Sequence, residues 1–157
     1  MAEDKLHCEH HGEFMATLQV LAKANADGKL DTFEMFFASG SLFNPTGVVI
    51  GTFSGSGTAW NDRDYESIGN VTKGSKQTFT GKNCDVVTDD ILGIYYATAG
   101  AMLEANSSGG SGYLDTAGSK FGGGEFTLYV LRDADGWIGI YATGTTPTTN
   151  NAWFMFL

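Results

Sequence analysis

Three glycine-rich stretches cut the chain into short apolar pieces: Ser-Gly-Ser-Gly at 54–57, Asn-Ser-Ser-Gly-Gly-Ser-Gly at 106–112 and Phe-Gly-Gly-Gly-Glu-Phe at 121–126. Glycine loses more backbone freedom on ordering than any other residue, so runs of it belong in connections and not inside helices or strands. The chain has 22 glycines in 157 residues, about twice ordinary usage. They show no three-residue period, which excludes a collagen-like rod and leaves glycine as the material of loops between strands.

The pieces after Lys76 read as strands. Residues 76–88 (KQTFTGKNCDVVT) and 90–105 (DILGIYYATAGAMLEA) are rich in β-branched and aromatic side chains. Residues 124–145 (GEFTLYVLRDADGWIGIYATGT) read as two apolar strands joined into a hairpin by Asp133-Ala134-Asp135-Gly136. The N-terminal third reads as helical. Phe14, Leu18, Leu21 and Asn25 lie at steps of three and four, with Met15 and Ala22 beside them. Gly28 is placed to end that helix and Asp31 to cap a short second one over 32–38. A third is expected over 57–70, where Trp60, Asp64 and Ile68 are spaced at i, i+4 and i+8. Helices followed by strands predict a single α+β domain over residues 1–157, with three helices packed on one face of an antiparallel sheet.

The formal charge is −9 with only nine basic residues. That leaves no cationic stripe for phosphates, and no nucleic-acid partner is expected. The first residues, MAEDKL, are polar where a signal sequence needs an apolar core. The longest apolar run, 91–103, is 13 residues, short of the roughly 20 that a spanning helix needs. Two cysteines, Cys8 and Cys84, make no disulfide framework. A cytoplasmic protein with no membrane partner is the expectation.

Residues 21–47, ending in Phe43-Asn44-Pro45-Thr46-Gly47, together with the closing segment 126–144, resemble the nuclear-transport-factor-2-like superfamily, which includes SnoaL-like cyclases and ketosteroid isomerases. The resemblance covers roughly residues 13–146. It implies a strongly curved sheet wrapped around helices to form a cone with a deep apolar pocket, and commonly a homodimer formed through the sheet. The apolar C-terminal Trp-Phe-Met-Phe-Leu also asks to be covered, by the domain or by a partner. Two positions depart from the family pattern. Asn44 stands where the steroid isomerases carry their proton-moving aspartate, and Thr143, six residues after Trp137, stands where many SnoaL-like members carry a pocket histidine.

On that expected cone, Asp64 is the candidate proton-transfer group. A carboxylate held against apolar surface keeps its proton toward neutral pH and can serve as a general acid or base. Tyr141 or Tyr96 is the candidate oxyanion donor, and His11 a possible second acid/base. Phe14, Leu18, Asn44, Trp60, Tyr129 and Thr143 are the expected pocket lining. Trp137, Gly139, Tyr141 and Thr143 share one face of the last strand by alternation. Cys84 has no histidine in its own strand and reads as a small buried hydrophobe.

The cluster HCEHH at 7–11 holds every histidine of the chain. His7 and His11 at i, i+4, with Cys8 between them, could chelate a metal, could lead into the first helix as plain polar surface, or could place His11 in the pocket. With no second ligand cluster elsewhere, no metal and no organic cofactor are expected. Two functions remain open: cofactor-free acid/base chemistry (isomerase, cyclase, dehydratase or hydrolase) on a small apolar metabolite, or a non-catalytic ligand-binding or association domain. A lining of two converging ionisable groups would favour the first.

Overall fold

The computed structural model describes residues 15–106, 108–109, 112–127, 131–133 and 136–147. Among them there is no helix. In chain order the strands are β1 (Met15–Lys23), β2 (Gly28–Phe36), β3 (Val48–Ser56), β4 (Ala59–Gly69), β5 (Lys76–Phe79), β6 (Cys84–Val86), β7 (Ile91–Tyr95), β8 (Ala105–Asn106), β9 (Tyr113–Ala117), β10 (Glu125–Thr127), β11 (Leu131–Asp133), β12 (Trp137–Ile138) and β13 (Ile140–Thr145). They form a seven-stranded sheet in the order β10–β4–β3–β7–β1–β9–β11, a smaller sheet in which β2 lies between β13 on one side and β5 and β6 on the other, and the short pair β12–β8. Every described pairing is antiparallel.

The expected α+β cone is therefore corrected to an all-β architecture, and each predicted helix is a strand. The second shows why. Phe33, Met35 and Phe37 are 0–1 % exposed while Thr32, Glu34 and Phe36 alternate with them, which is the period of two of a sheet with one face in a core. Leu30, also fully buried, breaks the alternation because Asp31 is the extra residue of a bulge: Gly144 pairs with Leu30 and Thr143 with Thr32. The bulge creates an i, i+3 spacing that imitates a helix. Asp31 caps nothing; its carboxylate accepts the Thr32 hydroxyl at 2.7 Å.

The third predicted helix, β4, fails for the same reason twice over. Against β3 it skips Arg63 and Ile68, so Trp60, Asp64 and Ile68 imitate a helical stripe although Trp60 pairs with Gly55 and Asp64 with Thr52 on opposite faces of the sheet. In the first predicted helix, Ala16, Leu18, Val20 and Ala22 alternate with Thr17, Gln19 and Leu21, a competing period of two. The backbone of that segment pairs with β7 and β9. The predicted terminal hairpin is also corrected. β10 pairs with β4 and β11 with β9 in the larger sheet, whereas β12 pairs with β8 and β13 with β2. β11 and β12, consecutive along the chain, thus belong to different sheets and do not pair with each other.

The two sheets pack face to face. Val48, Ile50, Leu92 and Ile94 from the larger sheet meet Leu30, Phe33, Met35, Cys84, Val86, Ile140 and Ala142 from the smaller one in a single buried cluster. A second, smaller cluster of Phe53, Trp60 and Ile91 lies on the other face of the larger sheet, with Phe121 and Phe126 packed against it. A tilted ring contact of 4.8 Å joins Phe53 to Phe121 and an edge-to-face contact of 5.5 Å joins it to Phe126. No helix among the described residues is long and apolar enough to cross a membrane.

Candidate functional site

In an antiparallel pair, residues directly opposite share a face. On the smaller sheet Tyr141 is opposite Glu34, and Glu34 is opposite Thr78. One row along, Phe36 is opposite Lys76, and on the other side Thr143 is opposite Thr32. Because Phe33 and Met35 point into the core, all these residues belong to the outward face. Two of the outward residues are aromatic, and with Trp137 they line one open groove of about 220 Å³, together with Glu34, Lys76, Gly139 and neighbouring backbone.

Gly139 gives the groove its shape. Its carbonyl accepts the Phe36 amide at 2.8 Å and its own amide donates to Glu104 at 2.7 Å. A Cβ there would lie 2.9 Å from the Phe36 carbonyl oxygen and 3.3 Å from the Phe36 Cβ. Only glycine lets the chain pass this close to the aromatic residue it pairs with. The polar element is an ion pair: the Lys76 ammonium donates to Glu34 Oε1 at 2.9 Å, and the Thr78 hydroxyl donates to the same oxygen at 3.4 Å. The two side chains are 62 % and 26 % exposed, so solvent reaches both and the pair itself contributes little stability.

Among the described residues, the sequence-predicted site residues are not brought together into one pocket. Asp64 points toward the smaller sheet, where Oδ2 accepts the Asp85 amide at 2.7 Å and Oδ1 accepts the Tyr65 amide at 2.9 Å. It is engaged with backbone. Trp60 is 2 % exposed in the second core cluster, with its indole N–H on the Gly57 carbonyl at 3.2 Å. Tyr96 is buried edge-on against Phe37 at 5.0 Å. Asn44 lies in a loop at one end of the sandwich and accepts the Lys73 amide at 3.1 Å. Leu18 pairs with Gly93 and Leu114 in the middle of the larger sheet. Tyr141 and Thr143 lie on the outward face of the smaller sheet, and Tyr141 lines the groove. His7, Cys8, His11, Phe14 and Tyr129 lie outside the described residues.

Sequence reasoning missed Phe36, Glu34 and Lys76. The signal was present: Thr32, Glu34 and Phe36 alternate with the buried Phe33 and Met35, but reading the segment as a helix scattered them around a cylinder. The Cys84 reading agrees with the structure. Its side chain is fully buried, and burial pushes the thiol up to about 12.

Two other features use polar chemistry. Arg63 Nη2 donates to Asp90 Oδ1 at 3.0 Å and Nε donates to Oδ2, with Asp90 2 % exposed. At the tip of the second core cluster, the amides of Gly122 and Gly124 donate to the two oxygens of Asp62 at 2.8 and 3.0 Å. No group of three or more His, Cys, Asp and Glu suited to a metal occurs among the described residues. Compared with known proteins, the chain matches no family model, no curated protein and no solved structure.

Proposed function

We propose that the protein is a non-catalytic binding module whose ligand sits in the groove on the outward face of the smaller sheet. The observation that carries this reading is the convergence of Phe36, Trp137 and Tyr141, from three strands, beside the Glu34–Lys76 pair. Outward positions of a sandwich are ordinarily polar, and three half-buried aromatic side chains meeting beside a charged pair form a concave surface of the kind that ligands use. The acid/base reading has less support, although the two converging ionisable groups that would favour it, Glu34 and Lys76, do meet in this groove. Asp64 is spent on backbone amides, and Glu34 and Lys76 neutralise each other in a site open to water. A proton-transfer group needs a drier setting to work near neutral pH.

The reading is tested by ligand-observed NMR with a library of small neutral compounds, run in parallel on the protein and on Trp137→Ala and Tyr141→Ala. Compounds whose binding disappears in both variants, and which are recovered unchanged after prolonged incubation, support it. Binders that respond to neither substitution, or chemical conversion of a bound compound, overturn it.

A further inference from the structure

We infer that the ligand of this groove is a neutral carbohydrate, with a pyranose ring laid against the aromatic side chains and its hydroxyls on the Glu34–Lys76 pair; this rests on the groove being the binding site. A pyranose is two-sided. Its ring faces present C–H groups, which are attracted to the electron-rich face of an aromatic ring, and its rim presents hydroxyls that both donate and accept. The groove has the matching division. Phe36, Trp137 and Tyr141 supply the aromatic surface, while a carboxylate, an ammonium and the Thr78 hydroxyl stand in adjacent cross-strand rows.

The alternatives fit less well. An apolar ligand covering the groove would strip water from the Glu34–Lys76 pair and return no hydrogen bonds, a cost that hydroxyls avoid. A phosphorylated or sulfated ligand would need an uncommitted cation, but Lys76 is already paired with Glu34 and the chain carries a formal charge of −9. The ion pair keeps unused capacity: the ammonium has three donors and the carboxylate about four acceptor positions, whereas the bonds from Lys76 and Thr78 both end on Oε1. The size agrees as well. A groove of about 220 Å³ is smaller than the roughly 300–1,000 Å³ of a pocket that encloses a whole drug-sized ligand. It suits one ring of a chain whose other rings continue over the sheet, past Thr32 and Thr143.

An open groove of this kind binds weakly, with Kd on the order of 0.1–1 mM. The experiment is a ¹⁵N-HSQC titration of the full chain with cellohexaose, laminarihexaose, chitohexaose and mannohexaose, and separately with 2-phenylethanol as an apolar aromatic probe. The Trp137 indole signal is assigned by its loss in Trp137→Phe. At least one hexaose is expected to shift the Trp137 indole and the Tyr141 and Glu34 amides, with affinity falling about tenfold or more in Trp137→Ala and Tyr141→Ala. Amide signals remote from the groove in both variants report that the fold is kept. If 2-phenylethanol shifts the groove signals and none of the four hexaoses does, the carbohydrate assignment is overturned and the groove remains a binding site. If no compound shifts them, the groove reading itself falls.

Discussion

Asp64 and Asp85 join the two sheets: the Asp64 carboxylate, on β4 of the larger sheet, accepts the Asp85 amide of β6 in the smaller one at 2.7 Å. Thr52, directly opposite Asp64 on β3, donates its hydroxyl to the Asp85 carbonyl at 2.6 Å and is itself fully buried. One residue of the smaller sheet is thus held at both its amide and its carbonyl. Removing either holder takes away one hydrogen bond between the sheets, at a site that water partly reaches, which costs about 0.5–1.5 kcal/mol. Asp64→Ala and Thr52→Val are each expected to lower stability by about that amount in urea denaturation. Ligand binding at the groove should be unaltered by Asp64→Ala, in contrast to what a catalytic Asp64 would require.

The bulge at Arg63 places the guanidinium on the buried Asp90. Asp90 Oδ2 also accepts the Val87 amide at 2.9 Å, so the carboxylate organises the turn that leads into β7. Breaking a buried pair by removing one partner leaves an uncompensated charge, whereas removing both is milder. The Arg63 side chain is 30 % exposed, so water relieves part of the loss on that side. We expect Arg63→Met to cost about 2–3 kcal/mol, and the Arg63→Met/Asp90→Asn double variant to cost less than the two single changes added together. Equilibrium unfolding of the three variants measures the coupling directly; strict additivity would deny it.

Strand positions from Lys76 to Tyr95 were legible in the sequence because their β-branched and aromatic runs are bounded by turn residues. The segments around Asp31, Arg63 and Ile68 were not, because one extra residue in a strand converts an alternating pattern into helix-like spacing. Whether a bulge forms depends on the partner strand, and β2 meets its partner β13 more than a hundred residues later. The segment 124–145 misled for a related reason. An Asp-x-Asp-Gly signal reports a local turn, but not which strands the two flanking segments will pair with. Of the candidate site, the shared face of Tyr141 and Thr143 could be read from alternation in β13, but not that this face is turned outward. Phe36, Glu34 and Lys76 needed β2 and β5 to be recognised as neighbours, and no local feature of the sequence carries that pairing.

The Cys84 thiol sets the alkaline limit. Burial first, with Asp64 nearby, pushes it from 9.0 up to about 12. The folded chain therefore keeps a proton that the unfolded chain gives up above pH 9, so stability is full below 9 and falls as the pH rises toward 12. In a Cys8→Ser background, Cys84 is expected to resist a thiol reagent such as DTNB in buffer at pH 8 and to react at once in 6 M urea. Its unfolding free energy should decline from pH 9 to 11 more steeply than that of Cys84→Ala. Above 10.5 a smaller decline should persist in both proteins, because the hydrogen bond to Asp85 raises the Lys29 ammonium above its ordinary value and that contribution is lost as it deprotonates.

The acid limit has a different origin. Asp27 accepts the Thr88 amide at 2.7 Å and the Thr88 hydroxyl at 2.8 Å, and these bonds hold its carboxyl below the ordinary 3.8. Below that value the unfolded chain binds a proton before the folded one does. The contribution is therefore complete above pH 3.8 and is lost as the pH falls through the lowered folded value. Asp27→Asn is expected to be less stable than the parent at pH 6, with the gap closing progressively as the pH falls below 4. Thermal unfolding across that range checks it; a gap of constant size would mean that the carboxylate's charge plays no part.

Asp62 and the loop 121–124 form the remaining device. Gly122 and Gly124 have φ of +73° and +72°, a conformation that directs both amides onto the Asp62 carboxylate and that other residues adopt at a cost. The loop is thereby pinned with Phe121 and Phe126 over Phe53, which is fully buried. Asp62→Ala is expected to lose protection from hydrogen exchange at Gly122 and Gly124 and to raise 1-anilinonaphthalene-8-sulfonate fluorescence as the phenylalanines loosen. Gly124→Ala, with no atom within 4 Å of the added Cβ, should lose about 1 kcal/mol from backbone strain alone. If Asp62→Ala left the exchange of both glycine amides unchanged, some other contact would hold the loop, and the carboxylate would be incidental to it.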